Sequence, residues 1–262
     1  MMRNRAEIKR EAKSLIRTGK GSPLVASAIV LLVGTVLDRI VNLVVYGSLS
    51  PAVNDLDIML AIAESGITDP VAAMEMMESM MPAAPSSLTG SFLSILVSLV
   101  MTVLIGGYCV FLMGIRQRLK TPYTSLFDGL GVAGKLIWCQ ILVYVKTFLW
   151  TMLFIFPGIV AAYRYRFAFY NLLTDDSLTA SQAIALSCEQ TRGIKMELFV
   201  LDLSFIGWNL LSSFTAGLLN IWLNPYMYLS ELAYFEDAQR RLGRAPYGIS
   251  EGWEGSGDGG TI

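Results

Sequence analysis

The chain has 262 residues, 54% of them hydrophobic and 16% charged, with a formal net charge of −1. Soluble domains carry about a quarter charged residues, so a mean hydropathy of +0.54 points to a membrane environment, and the near-neutral balance implies no basic nucleic-acid-binding face. There is no histidine, which excludes Ser-His-Asp and Cys-His nucleophiles, HExxH zinc sites and imidazole proton relays.

Residues 4–18 predict an amphipathic helix. Asn4 supplies a cap, Glu7 follows three residues on, and Gly19 ends it. Ile8, Ala12, Leu15 and Ile16 share one face, while Arg5, Lys9, Arg10, Lys13 and Arg17 mostly occupy the other. Such a helix beside a span suits the anionic cytoplasmic surface; the plainer alternative is that its charges only set topology. A first span runs from Pro23 to the mid-40s. It is too long for a signal-peptide core and holds Asp38-Arg39, so it reads as a retained span. Residues 51–87 then read as an acidic extracytoplasmic loop with Asp55, Asp57, Glu64, Asp69, Glu75 and Glu78 and no Lys or Arg. Its Met-rich stretch, 74–81, lacks a regular ligand motif and reads as packing rather than as a copper site.

The second span is Leu88 to Ile115, followed at once by Arg116, Arg118 and Lys120. The stretch Pro122 to Gly134 reads as interfacial. Its Gly129-x-Gly131-x-x-Gly134 matches the dinucleotide fingerprint but lacks the βαβ context that aims amides at a pyrophosphate, so it reads as a flexible loop. Span three covers Lys135 to Phe156 and breaks at Pro157-Gly158. Span four, Ile159 to Leu173, is short and carries Arg164 and Arg166. A second amphipathic helix occupies 179–192 behind a Thr179-x-x-Gln182 capping box. Span five is Leu198 to Phe214. Span six is Leu218 to Phe235, kinked at Asn224-Pro225. The Gly/Ser/acid-rich tail, 248–262, reads as disordered. Cys109, Cys139 and Cys188 form no CxxC pair and read as packing residues. The expectation is an all-α polytopic membrane bundle: one domain over 1–247, about six spans, and two cytoplasmic amphipathic helices.

Charge asymmetry orients it. Arg3, Arg5, Lys9, Arg10, Lys13, Arg17 and Lys20 precede the first span, and Arg116, Arg118, Lys120 and Lys135 flank the second loop. Arg240, Arg241 and Arg244 follow the last span. The 51–87 loop has no counterpart. By the positive-inside rule both termini are cytoplasmic.

Asp38, Arg39, Lys146, Arg164, Arg166, Asp202 and Glu231 fall inside apolar segments. Each costs roughly 2.5–3.5 kcal/mol at a helix centre on insertion scales. Rising about 1.5 Å per residue, Arg166 lies roughly 10 Å from the cytoplasmic end, and Asp202 and Glu231 roughly 8 Å, so these three can share one layer. Lys146 and Arg164 lie deeper, roughly 14–17 Å. Arg164 and Arg166 are about 200° apart on a helix and cannot face one partner. The candidate polar cluster is therefore Arg164, Arg166, Asp202, Glu231 and Lys146. It is either a polar cavity open to the cytoplasm or an arginine that snorkels while two carboxylates satisfy it.

Several ordered elements resemble one family. They are Phe156-Pro157-Gly158-Ile159, Tyr163 to Tyr170, Ser187 to Lys195, Leu201-Asp202-Leu203-Ser204-Phe205-Ile206-Gly207-Trp208, Pro225-Tyr226 and Tyr234-Phe235, with Glu7-Ile8-Lys9 and Ala12-Lys13 at the start. The chain resembles the bacterial integral membrane proteins of domain-of-unknown-function family 975. Thr191 stands where that family tends to carry Met. The resemblance implies a six-span inner-membrane protein and brings no substrate. The chain is also distantly similar to the membrane domain attached to some glycerophosphodiester phosphodiesterases, which implies association with lipid or a partner rather than chemistry.

The functional expectation is a non-catalytic membrane module that binds lipid or another membrane protein, with no cofactor, metal or nucleic acid. The alternative is a small-solute transporter or channel with a cytoplasm-facing polar cavity.

Overall fold

The structure, a computed structural model, describes residues 3–18, 22–46, 88–119, 121–215 and 217–244, with isolated positions between 61 and 76. Apart from those positions the acidic loop lies outside the described residues, as does the 248–262 tail. The described residues are helical throughout: α1 (Arg5–Thr18), α2 (Pro23–Tyr46), α3 (Leu88–Arg116), a 3-10 helix (Tyr123–Val132), α4 (Ala133–Leu153), α5 (Ile155–Tyr165), α6 (Ala168–Thr174), α7 (Ala180–Gln190), α8 (Lys195–Phe214) and α9 (Asn220–Arg241).

Four stretches are long and apolar enough to cross a membrane: Pro23–Val44, Phe92–Arg116, Tyr123–Leu153 and Lys195–Phe214. The predicted fourth and sixth spans are not among them. The fourth is two short helices, α5 and α6, parted at Arg166-Phe167. At about 1.5 Å per residue the 11 residues of α5 cover roughly half of a hydrocarbon core. The sixth is α9, which is long enough but polar towards its C-terminus, with Glu231, Glu236 and Asp237.

Burial is concentrated at one end of the bundle. Every residue from Gly106 to Arg116 of α3 is buried, whereas none described from 92 to 102 is. Helix α2 buries Pro23, Ala26, Ser27 and Val30, then nothing from 31 to 44. Helix α4 buries only Leu136 and Cys139, near its start. The opposite end exposes Leu32, Val36, Ile40, Phe92, Leu96, Val100, Phe148 and Leu149. Apolar surface on that scale calls for a cover other than water. The far tip, between α4 and α5, is the most apolar point, with Phe154 69% and Phe156 83% exposed.

The 3-10 helix corrects the flexible-loop reading of the glycine motif. It packs backbone to backbone on α3, where a Cβ on Gly107 would overlap the Leu126 carbonyl and one on Gly129 would overlap Val103 and Gly107. Gly131 and Gly134 face open space. One of the three glycines is thus a packing residue, and the phosphate-cradle pattern is incidental.

The break predicted at Pro157-Gly158 falls earlier, at Phe154, whose backbone is extended (φ −162, ψ 150). Pro157 then sits in the first turn of α5, where its missing N–H costs nothing, and Gly158 lets α5 approach Thr151 of α4. Pro225, the predicted kink, lies in the second turn of α9, which continues past it.

Helices α8 and α9 form an antiparallel hairpin. Phe205 meets Tyr226 edge-on at 5.1 Å between centroids, Trp208 meets Trp222 at 5.9 Å, and Ser212 Oγ donates to Asn220 Oδ1 at 2.7 Å. The turn satisfies its own polar groups: Thr215 Oγ1 donates to the Ser212 carbonyl and accepts the Leu219 N–H.

Candidate functional site

Three helices converge on Arg166, which follows α5 directly. Its Nε and Nη2 donate to the two oxygens of Glu231 on α9 at 2.7 and 3.0 Å. Nη1 and Nη2 engage both oxygens of Asp202 on α8, the second at 3.0 Å. Tyr163, one turn earlier, donates its hydroxyl to Asp202 at 2.8 Å, and its ring lies 5.6 Å from the guanidinium carbon. Two bidentate carboxylates take four hydrogen bonds from its Nε, Nη1 and Nη2 in the fork geometry that suits arginine.

The other two predicted members stand apart. Arg164 is exposed and Lys146 half-buried, and neither has an ion-pair partner among the described residues. Two residues along a helix turn Arg164 away from the layer that Arg166 enters.

Beside the cluster lies a cavity of about 220 Å³. It is lined by Thr102, Ile105 and Cys109 of α3, Gln140 and Tyr144 of α4, and Arg166, Phe169, Tyr170, Tyr228 and Glu231. Tyr144 is 64% exposed and stands at the rim among the exposed Ile141, Val145 and Phe148. The opening is therefore lateral, on the apolar face between α3 and α4. The inner wall is polar, with Glu231 and Arg166, and the aromatic rings line the passage between.

The break that frees Arg166 is built by α7. Its capping box forms as the sequence predicts: Thr179 Oγ1 accepts the Gln182 N–H, and Gln182 Oε1 accepts the Thr179 N–H. Farther along, Ser187 Oγ accepts the Phe167 N–H at 3.0 Å and donates to the Arg164 carbonyl at 2.9 Å. Thr191 Oγ1 donates to the same carbonyl at 3.2 Å. Asn171 and Gln190 exchange amide hydrogen bonds at 2.9 and 2.8 Å, both side chains buried. The side chains of α7 thus replace helix bonds lost at the turn.

A second charged layer closes the dense end and escapes sequence reasoning. The Arg116 side chain, 2% exposed, donates to both oxygens of Glu236 at 2.6 and 2.9 Å and to Glu11 at 3.2 Å. Arg3 joins Asp237 at 2.9 Å and Glu11 at 2.8 Å. These bonds pin α1 against α9. The predicted apolar face, Ile8, Ala12, Leu15 and Ile16, is buried, but in the bundle rather than on a membrane surface. Lys9 donates to Ser204 at 2.5 Å and lies over the Phe205 ring at 4.5 Å. Burial, then Arg5 and Lys13, lowers its pKa below the ordinary lysine value. Arg116 looked like a topology charge because it closes an apolar run, and only the fold reveals its carboxylates.

A bundle of helices with four stretches long and apolar enough to cross a membrane, wrapped around a half-buried arginine with two carboxylates, defines the class. The chain belongs to domain-of-unknown-function family 975, described as "Protein of unknown function (DUF975)", which it matches over residues 1–241. No curated protein and no solved structure matches it.

Proposed function

We propose that this protein is a non-catalytic module of the bacterial plasma membrane that holds an amphiphile, a lipid or lipid-like molecule, in the lateral cavity between α3 and α4. The cavity carries this reading: it is roomy, open on the apolar face, aromatic along its walls and charged at its inner end. A tail in the bilayer and a headgroup on the Arg166 layer match that polarity. The layer of buried Arg116 and Glu236 with half-buried Glu11 lies between this end and the cytoplasm, which favours holding over passing a solute.

In this reading Arg3 and Asp237, in contact, lie on the cytoplasmic side, as the positive-inside rule requires. Helices α2, α3 and α4 cross, α5 with α6 returns, and the α8–α9 hairpin turns within the cytoplasmic half of the bilayer. Its polar turn is internally hydrogen-bonded, as backbone at that depth must be.

The test is native mass spectrometry of protein extracted in a mild detergent, with the retained amphiphile identified. Ile105→Trp, which fills the cavity, is expected to abolish retention while the protein stays folded. Equal retention by this variant would remove the cavity as the site.

A further inference from the structure

We propose that the cavity selects a cationic, ammonium-bearing headgroup; this rests on the amphiphile reading above. The charge count around Arg166 is uneven. One guanidinium faces two carboxylates, Asp202 and Glu231, and no other cation lies within ion-pair distance of either among the described residues. The layer therefore carries one negative charge too many. Both carboxylates already accept from Arg166, so its one positive charge already faces two negative ones. An anionic headgroup would bring a third negative charge to one positive one. An unbalanced charge in a low-dielectric setting is costly, and a bound cation removes the cost.

The surroundings of Glu231 fit that cation. Phe169, Tyr170, Tyr228 and Tyr144 line the same cavity. Aromatic faces around a carboxylate are the recurrent means of recognising alkylammonium groups, the rings attracting the charge without competing hydration. Gln140 and Thr102, which also line the cavity, supply neutral acceptors. Asp202 has a further partner in the Tyr163 hydroxyl, which leaves Glu231 as the carboxylate that faces the cavity.

Chain-matched probes test this. Dodecylammonium, dodecyl maltoside and dodecyl phosphate are titrated against the full-length protein in a neutral glycol detergent, with adducts counted by native mass spectrometry. Propylammonium serves as a tail-less amine. The wild type is expected to retain dodecylammonium at least tenfold more tightly than the neutral or anionic probe. Glu231→Gln, which keeps the Arg166–Asp202 pair, is expected to bring the three probes to within about twofold. Equal retention of all three by the wild type overturns the charge selection and leaves the amphiphile site standing. No retention of any dodecyl probe overturns both. Propylammonium bound as tightly as dodecylammonium upholds the ammonium site but overturns the amphiphile reading. The comparison among probes on the wild type needs no variant to fold.

Discussion

Ser27 Oγ donates to the Asn220 carbonyl at 3.3 Å, tying the second turn of α2 to the first residue of α9. In a six-span scheme these residues belong to opposite faces, since α2 starts on the cytoplasmic side and α9 on the outer side. Here they touch. Some 19 further residues of α2, about 28 Å at 1.5 Å each, run beyond the contact without a described buried position after Val30.

Thr215→Cys, at the hairpin turn, is therefore expected to resist a membrane-impermeant maleimide added outside intact cells, whereas Asp69→Cys in the acidic loop reacts. Rapid external labelling at 215 would restore six full crossings. A reporter fused after Asp69 gives the companion measurement, with activity expected only outside the cytoplasm.

Arg166→Leu strands two carboxylates. Breaking a buried pair from one side costs about 3–5 kcal/mol, and partial exposure of these side chains places the effect at the lower end. Combining it with Asp202→Asn and Glu231→Gln removes the stranded charges and should recover most of the loss. Unfolding in detergent followed by circular dichroism measures both. A triple variant as unstable as the single one would show that the three residues do not act together.

Gly107→Ala drives a methyl into the Leu126 carbonyl. The obstacle is backbone, which cannot swing aside, so a loss of about 2–3 kcal/mol is expected from overpacking. Gly131→Ala, with nothing nearby, should change stability by less than about 0.5 kcal/mol. Similar midpoints for the two would contradict the close packing of the 3-10 helix on α3.

Ser187→Ala removes an acceptor from the buried Phe167 N–H and a donor from the Arg164 carbonyl. An unsatisfied buried backbone group costs about 1–3 kcal/mol. Amide hydrogen exchange at Phe167 is expected to quicken by tenfold or more, and an unchanged rate would mean that α7 does not hold the break.

Local signals were legible before the fold. The Asn4 cap, the Thr179–Gln182 box and the apolar face of α1 depend on neighbours within a few residues, and all three form. The layer of Arg166, Asp202 and Glu231 was reachable because depth along a helix follows from residue count. The hairpin turn was not, because hydropathy measures length and apolarity but not which ends meet. Arg116 with Glu236, and Gly107 with Gly129, depend on partners far apart in sequence, and nothing local distinguishes them from a topology charge and a loop glycine.

The pairing of Arg3 with Asp237 spans 234 positions, and this sets the order of biogenesis. Synthesis runs from the N-terminus at about 5–20 residues per second, so α1 emerges ten seconds or more before its seat on α9 exists. During that interval Arg3 lacks Asp237, the guanidinium of Arg116 lacks Glu236, and α1 lacks its seat on α9. Helix α1 can dock only when α9 is in place. The amphipathic pattern legible in its sequence is thus complete early, and the seat it fits is made last.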